Sequence, residues 1–323
     1  MLGVTRDLND DHQGAVAAFH ESVALAPAYA KPHWLLGNLL LRMDQVDEAF
    51  KELRFAADRD PSLLPNVIDL AWGISRNDAA QTVAAIQPRT DGARMSLAIF
   101  LAAHKQGSAA INQFRTVTSP PLAGADRLIY ELIGSKFIGE AFEVWTRTHC
   151  AACKPGSLVN PGFEDEIEVA RNGFGWQISP DVPSVTLSVD ASEHQSGARS
   201  LRLDFHGGSN SATALASQMV VVNPGTKYRL SFQAMTKSFV SSAAPLVKVI
   251  DASDESASVL AQSSGLSDVN SWRPFTIEFT AGANTRALEV LVSRQACANN
   301  PCAAFGTLWI DSFSLDAANS NQK

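Results

Sequence analysis

The sequence predicts two architectures in succession: an N-terminal α-solenoid of helical hairpins, then an antiparallel β-sandwich of the jelly-roll type. Three observations support this prediction. Residues recur at a period of 34 near the N-terminus, and apolar residues keep helical spacing to about residue 148. From Val185 onward the apolar residues alternate with polar ones at a period of two. The 323 residues are enough for two domains, each with its own core.

The 34-residue recurrence involves positions with distinct packing roles. The matched residues are Leu2-Gly3, Ala15, Phe19 and Pro27, which return as Leu36-Gly37, Ala49, Leu53 and Pro61. The small residues let two helices cross closely, the Phe/Leu position fills the space between hairpins, and the proline ends the second helix. This pattern resembles that of the tetratricopeptide family, and the resemblance implies a protein partner bound by the repeats.

Helical periodicity continues beyond the second repeat in a weaker register. Further amphipathic segments are Met95–His104, Ala109–Arg115, Arg127–Ile133 and Phe137–Trp145. These assignments predict degenerate helical repeats to residue 148 and a Cys/Pro/Gly linker at 149–158. The sandwich then occupies residues 159–317, and residues 318–323 form a disordered tail.

The N-terminus carries no basic segment followed by an apolar one, so Met1-Leu2-Gly3 does not open a signal peptide. The chain would be cytoplasmic if this start is authentic. The first repeat lacks its opening helical turn, however, and we expect the natural polypeptide to continue upstream. No apolar stretch reaches the ~20 residues of a membrane span. The net charge of -7, without a Lys/Arg block, argues against a nucleic-acid partner.

The four cysteines form two close pairs, Cys150/Cys153 and Cys297/Cys302, which suggests two local disulfides. Four cysteines allow three connectivities, and four reduced thiols are the alternative. The C-x-x-C spacing also occurs in redox, zinc and haem sites. Here the βαβ context, two further zinc ligands and the following histidine of those sites are missing.

The C-terminal half contains several segments with strand-like alternation. Their inward-facing sets are Leu201/Leu203/Phe205, Tyr228/Leu230/Phe232, Phe275/Ile277/Phe279 and Leu288/Val290/Val292. Turn residues such as Asn223-Pro-Gly225 separate them. Roughly nine such strands with no intervening helix predict a β-sandwich.

Five ordered motifs in this half carry a more specific resemblance. They are Asn160-Pro-Gly-Phe-Glu164, Ser196-Gly-Ala-Arg-Ser-Leu201, the run from Val222 to Phe232, the run from Trp272 to Phe279, and the run from Leu308 to Leu315. Together they resemble the family 4/9-type carbohydrate-binding modules, which have a galactose-binding-like jelly roll. The resemblance implies binding of a polysaccharide or oligosaccharide.

The same family often holds a structural calcium ion between its first and last strands. The resemblance implies Glu164 and Asp311 as its ligands, and Ser312 stands where the family often has a second aspartate. Calcium prefers carboxylate and carbonyl oxygens, and a bound ion would offset the repulsion between two carboxylates. The alternative is that both residues are solvated at strand ends.

Sugar binding needs exposed aromatic rings for stacking and polar side chains for the hydroxyl groups. Trp272 and Trp309 match family positions used for packing, whereas Trp176 follows the flexible Gly173-Phe-Gly175. The remaining candidates, placed mainly in predicted loops, are Phe174, His206, Phe239, Phe305 and Arg294. We therefore predict a ligand site formed around Trp176, Phe174, His206, Phe239 and Arg294.

No H-E-x-x-H, G-x-S-x-G or phosphate-binding glycine loop occurs, so we predict a protein without catalytic activity. It would be an accessory that binds carbohydrate through the sandwich and a protein partner through the repeats, ancillary to a glycoside hydrolase or a polysaccharide-export system. The alternatives are a pure protein-interaction scaffold and a fragment of a larger glycoside hydrolase. The cysteine pairs and the sugar module together favour a bacterial envelope, periplasmic or secreted location.

Overall fold

A computed structural model describes the chain except for residues 1, 168–172, 180–183, 208–213, 254–255, 298–301 and 319–323. Most of the predicted C-terminal tail thus lies outside the described residues. By its internal contacts the chain divides into two compact units, Met1–Glu131 and Leu132–Lys323. None of the helices in the described part of the chain combines the length and apolar character needed to cross a membrane.

The N-terminal part of the described chain consists of helices. Their bounds are α1 Leu2–Leu8, α2 His12–Leu25, α3 Ala30–Arg42, α4 Val46–Arg59, α5 Leu64–Ile74, α6 Ala79–Ile86, α7 Asp91–Ala103, α8 Gly107–Arg115, α9 Leu122–Gly134 and α10 Ile138–Thr148. A 3-10 turn, Pro61–Leu63, precedes α5. Side-chain oxygens cap several helix starts, as where Asp11 accepts a hydrogen bond from the Gly14 amide at 2.9 Å.

Consecutive helices of the first unit pack as antiparallel neighbours, α1 on α2, α3 on α4 and α7 on α8. Two pairs of residues that recur 34 positions apart, Gly3 with Phe19 and Gly37 with Leu53, make equivalent contacts between helices. A Cβ added to Gly3 would lie 2.7 Å from the Phe19 ring, and one added to Gly37 would lie 2.7 Å from Leu53 Cγ. Each glycine therefore allows the large side chain of the next helix to lie against its backbone.

The second unit contains an antiparallel β-sandwich. The strands in its described residues are β1 Gln177–Ile178, β2 Val185–Asp190, β3 Ser200–His206, β4 Ala216–Val221, β5 Lys227–Ser241, β6 Pro245–Asp251, β7 Val259–Gln262, β8 Arg273–Thr280, β9 Ala287–Arg294 and β10 Ala304–Ala317. Sheet A has the order β1-β4-β9-β6-β7, and sheet B the order β2-β3-β10-β5-β8.

The residues predicted to alternate inward do form the core between the two sheets. Leu203, Leu230, Ile277 and Val290 are all nearly or fully buried in one apolar cluster. Because successive side chains on a strand point to opposite faces, the intervening residues lie on the outer faces of the sandwich. The outer faces are therefore where a ligand site can form.

Helix α10 belongs to the same compact unit as the sandwich and packs beside β4. The Trp145 ring lies so close to Gly173 that an added Cβ would stand 2.4 Å from it. Lys136 Nζ also donates a hydrogen bond to the Ala252 carbonyl at 3.2 Å. The division by contacts therefore falls one helix earlier than residue 148, the end of helical periodicity.

Candidate functional site

The outer face of sheet B displays an exposed aromatic ring. Among the described residues of the second unit, the large apolar side chains that are exposed are Val240, Val259 and Phe305. Phe305 is the aromatic member, with 53% of its surface accessible. It lies near the start of β10, directly opposite His206 on β3 and Val240 on β5.

Local backbone geometry holds this ring in place. Gly207 has a φ of +126°, and a Cβ added there would lie 3.3 Å from the edge of the Phe305 ring. The Gly207 amide donates to the Ala304 carbonyl at 2.9 Å, which ties the two strand ends together. The ring is thus supported from the Gly207 side and open on its remaining surface. We call Phe305, with its neighbours His206, Val240 and Lys237, the Phe305 platform.

The row of side chains beside the platform is polar. Thr186, Asp204, Thr307 and Lys237 follow one another across β2, β3, β10 and β5. Thr307 Oγ1 donates to Asp204 Oδ1 at 2.7 Å, and Thr186 Oγ1 lies 3.0 Å from His206 Nε2. Hydroxyl, imidazole and ammonium groups therefore lie in the two neighbouring rows that contain and adjoin the exposed ring.

Two acidic groups of this face, Asp190 and Asp204, are paired with Arg202. Arg202 donates to both Asp204 oxygens, at 2.8 and 3.0 Å, and reaches Asp190 Oδ2 at 3.3 Å. Desolvation alone would raise the pKa of Asp204, but hydrogen bonds from Arg202 and Thr307 outweigh it and hold that pKa below its ordinary value. These hydrogen bonds also raise the pKa of Arg202. The Arg202 guanidinium thus bridges both aspartates, and the group keeps one net negative charge.

Trp309 is buried, as predicted for a packing residue, but on the outer face of sheet B. Its Nε1–H donates to Asp190 Oδ2 at 2.9 Å, and the Arg202 guanidinium lies 5.5 Å from its ring centroid. With 5% of its surface accessible, it offers no ring face to a ligand. Trp272 is half-buried and donates through Nε1 to Glu193 Oε1 at 3.1 Å.

Of the five residues predicted to form the ligand site, His206 is exposed. It is the last residue of β3 and not part of a loop. Phe239 also lies on a strand, β5, where it is half-buried and packs edge-on against Phe205 with centroids 5.2 Å apart. The structure thus brings His206 next to Phe305 and turns Phe239 toward the core.

Trp176 and Phe174 lie inside the protein. The Trp176 ring contacts Phe163 and Phe313 in the sandwich core, and its Nε1–H donates to the Asn160 carbonyl at 3.1 Å. Phe174 is packed against Phe142 and Trp145 of α10. Gly173 is therefore explained by close packing against Trp145, and neither Trp176 nor Phe174 presents a stacking face.

Arg294 is also buried, at 2% exposure. Its guanidinium donates to the Cys302 carbonyl and to Ser241 Oγ, each at 3.0 Å, and more distantly to the Ala243 and Ala303 carbonyls. Burial lowers the pKa of Arg294 from its ordinary value. Its donors are directed inward, toward the protein's own backbone. This position does not fit the prediction that Arg294 would bind the hydroxyl groups of a sugar.

Both predicted disulfides are formed, Cys150–Cys153 and Cys297–Cys302. The first closes a turn directly after α10. The second lies beside the Arg294 cluster, where Arg294 Nη2 approaches Cys302 Sγ at 3.3 Å. Both disulfides join cysteines of the second unit that are close in the sequence, three and five positions apart.

The two predicted calcium ligands both lie near Gly162. A Cβ added to Gly162 would stand 3.7 Å from both Asp311 Oδ1 and Glu164 Oε1. Asp311 is fully buried, and its Oδ2 accepts hydrogen bonds from the Gln195 and Ser196 amides at 2.8 and 3.0 Å. Glu164 accepts a hydrogen bond from the Ala198 amide with both oxygens at 3.0 Å.

This donor set has the hard oxygen chemistry that calcium prefers. No group of three or more His, Cys, Asp and Glu side chains that could hold a metal is found in the described ranges. Backbone carbonyls, hydroxyls or water would therefore have to complete the shell around the two carboxylates.

Sequence reasoning did not single out the polar partners of Phe305, namely Thr186, Asp204, Thr307 and Lys237. Alternation around Leu203 and Leu308 would have placed Asp204 and Thr307 on outer faces. Their side-by-side arrangement depends on the pairing of β3 with β10, two strands far apart in the sequence.

Comparisons with known proteins bear on the second unit. Residues 156–299 match the model of the family described as "Carbohydrate binding domain". No curated protein matches the chain. A solved structure described as "CBM4 structure and function" is 13% identical with a TM-score of 0.37, covering 50% of this chain and 100% of its own.

Two further solved structures are similar to part of this chain. The CBM22-1 xylan-binding domain of Paenibacillus barcinonensis Xyn10C is 15% identical with a TM-score of 0.34, covering 52% of this chain and 99% of its own. The CBM22-1-GH10 modules of the Clostridium thermocellum xylanase Xyn10B, complexed with xylohexaose, are 13% identical with a TM-score of 0.35. This match covers 52% of this chain and 29% of the xylanase chain. The family match supports a carbohydrate-binding module in the C-terminal half and leaves the helical part unassigned.

Proposed function

We propose that this protein binds carbohydrate through its sandwich and a protein partner through its helices, without catalysing a reaction itself. The observation that carries the proposal is the match of residues 156–299 to a carbohydrate-binding family on a two-sheet antiparallel sandwich. The exposed Phe305 ring beside His206 and Lys237 supports it, because sugar rings stack their C–H faces on aromatic side chains. The two disulfides are in keeping with an envelope, periplasmic or secreted location.

The helical part is proposed to be a tetratricopeptide-type solenoid. The equivalent contacts of Gly3 with Phe19 and of Gly37 with Leu53 support a structural repeat of 34 residues. A groove of about 520 Å³ is lined by residues of α1, α2 and the start of α3. Leu25 and Tyr29 at this groove are 87% and 70% exposed, which suits an apolar surface of a protein partner.

Binding to polysaccharide is the direct test. The full chain, electrophoresed through native gels that contain a panel of soluble neutral and acidic polysaccharides, is expected to be retarded by at least one of them. Bovine serum albumin in the same gels controls for sieving. If every polysaccharide leaves the mobility unchanged, the carbohydrate proposal is wrong. The protein-interaction scaffold then becomes the better account, because the rings of Trp176 and Phe174 are already used in packing.

We further propose that Glu164 and Asp311 hold a structural calcium ion. At a calcium concentration about 100 times Kd, an ion bound only by the folded state adds about 2.7 kcal/mol to the free energy of unfolding. For a unit of this size that corresponds to a rise in Tm of about 5 °C or more. We expect this rise when calcium is added back to chelated protein, followed by differential scanning calorimetry.

The double variant Glu164→Gln/Asp311→Asn provides the control, since it is expected to lose the response to calcium. Magnesium, which is smaller and demands a stricter octahedral shell, is expected to have a weaker effect. If adding calcium leaves the Tm of the wild-type chain unchanged, the calcium site is wrong. That outcome does not bear on the carbohydrate proposal.

A further inference from the structure

The charged side chains on the outer face of sheet B are unequally partnered. Asp190, Arg202 and Asp204 form one ion-paired group. At the other end of the face, Glu278 lies 2.7 Å from Lys227 and 2.8 Å from Arg229. The first group has two carboxylates for one cation and the second has two cations for one carboxylate, so each of these three carboxylates has at least one cationic partner.

Lys237 differs from the residues of both groups. It lies opposite Thr307 on β5, is exposed, and has no carboxylate of the described residues within ion-pair distance. Beyond a bulge at Ser238, the same strand carries Val240 beside Phe305. An ammonium group without an ion-pair partner in the described residues therefore lies on the same face as the exposed ring, in the neighbouring row of outward-facing side chains.

Backbone and side-chain contacts position the ring and the imidazole of the platform. Gly207 supports the Phe305 ring, and Gly306, with a φ of +104°, lets the Ser238 carbonyl approach where a side chain would otherwise stand. His206 is oriented by its contact with Thr186 Oγ1. A ring and polar groups held in place before binding lose less conformational entropy when a ligand arrives.

We infer that the Phe305 platform binds an acidic glycan, one whose sugar units carry carboxylate groups. A sugar ring stacks on the open surface of Phe305, the Lys237 ammonium pairs with the carboxylate, and His206 and Thr186 contact hydroxyl groups. The ligand is an anion because Lys237, which lies opposite Thr307, two residues along β10 from Phe305, has no carboxylate of the described residues within ion-pair distance. This inference rests on the proposed carbohydrate-binding function and assigns it a face and a ligand class.

The test compares polygalacturonate with its carboxyl-reduced, neutral form, using isothermal titration calorimetry on the full chain. Wild type is expected to bind polygalacturonate at least about tenfold more tightly than the reduced polymer. Phe305→Ala is expected to weaken binding to polygalacturonate about tenfold. Lys237→Gln is expected to weaken it about fivefold and to flatten its salt dependence, and Lys237→Arg to retain it.

Matched controls are Val259→Ala, an exposed apolar residue on sheet A, and Lys154→Gln, an exposed lysine of the linker. Both are expected to bind like wild type. Phe305 and Lys237 are exposed, so their variants should keep the wild-type Tm, which separates lost binding from lost folding.

Wild-type affinity in both Phe305→Ala and Lys237→Gln would overturn this inference while leaving carbohydrate binding intact. Equal affinity for the acidic and the reduced polymer would overturn the assignment to an acidic glycan. If the chain binds neither of these nor any neutral polysaccharide of the wider panel, the proposed function itself fails, and this inference fails with it.

Discussion

Replacing Gly306 with alanine is expected to destabilise the sandwich by about 3 kcal/mol or more, from backbone strain and overlap together. Gly306 has a φ of +104°, which side chains rarely adopt. The added Cβ would stand 2.3 Å from the Ser238 carbonyl oxygen and 2.7 Å from Phe239 Cα. These are backbone atoms of the paired strand β5, so neither a rotamer change nor a flexible side chain can relieve the overlap.

The measurement is the free energy of unfolding of the sandwich, followed by the near-ultraviolet circular dichroism of its tryptophans in guanidinium chloride. Gly225→Ala is the matched control, because Gly225 has a φ of +70° but nothing within 4 Å of the added Cβ. It should lose only about 1 kcal/mol, from backbone strain alone. Equal losses in the two variants would mean that the close approach of β5 and β10 at Gly306 is not what requires a glycine.

Replacing Arg294 with methionine is expected to cost about 3 kcal/mol, because the buried Cys302 carbonyl loses its donor and the further charge-assisted hydrogen bonds of the guanidinium are lost as well. The methionine fills much of the volume of the arginine stem. It cannot donate to the Cys302 carbonyl, to Ser241 Oγ or to the Ala243 carbonyl. Arg294→Lys should recover only part of the loss, since one ammonium group does not reproduce the planar fork of a guanidinium.

Arg286→Met is the matched control, because Arg286 is an exposed arginine just before β9, and its Tm should stay close to that of wild type. The same denaturation experiment serves for all three variants. Should Arg294→Met instead keep full stability and lose polysaccharide binding, the sequence-based assignment of Arg294 to a ligand site would be right and the structural role argued above would be wrong.

The strand cores could be predicted from the sequence because burial imposes a local rule. A half-buried strand must alternate, so Leu201, Leu203 and Phe205 could be assigned to the core without knowing their partners. The two disulfides could also be predicted, since cysteines three and five positions apart can pair with each other locally. The resemblance of the motifs likewise predicted Glu164 and Asp311 as calcium ligands, and in the structure both carboxylates lie near Gly162, while calcium binding stays a prediction.

The ligand face could not be predicted in this way. Trp176 and Phe174 lie in a glycine-containing segment that resembles an open loop, yet the chain carries them into the core and against α10. The local sequence of such a segment does not specify which packed surface will cover it. The same limit explains why Arg294 was assigned to a sugar when its partners are backbone carbonyls up to fifty-one positions away.

By itself, the sequence predicted the helical part, the strands and their inward-facing residues, because periodicity is a local property. The resemblance of its motifs to a family, supported by the match over residues 156–299, indicated a sandwich of the carbohydrate-binding-module type. Only the tertiary structure decided which aromatic ring is exposed and which charge is unpaired. Phe305, His206 and Val240 are separated by dozens of residues and meet because β10 pairs with both β3 and β5. Exposure and charge balance depend on neighbours that long-range pairing supplies, and no segment encodes them alone.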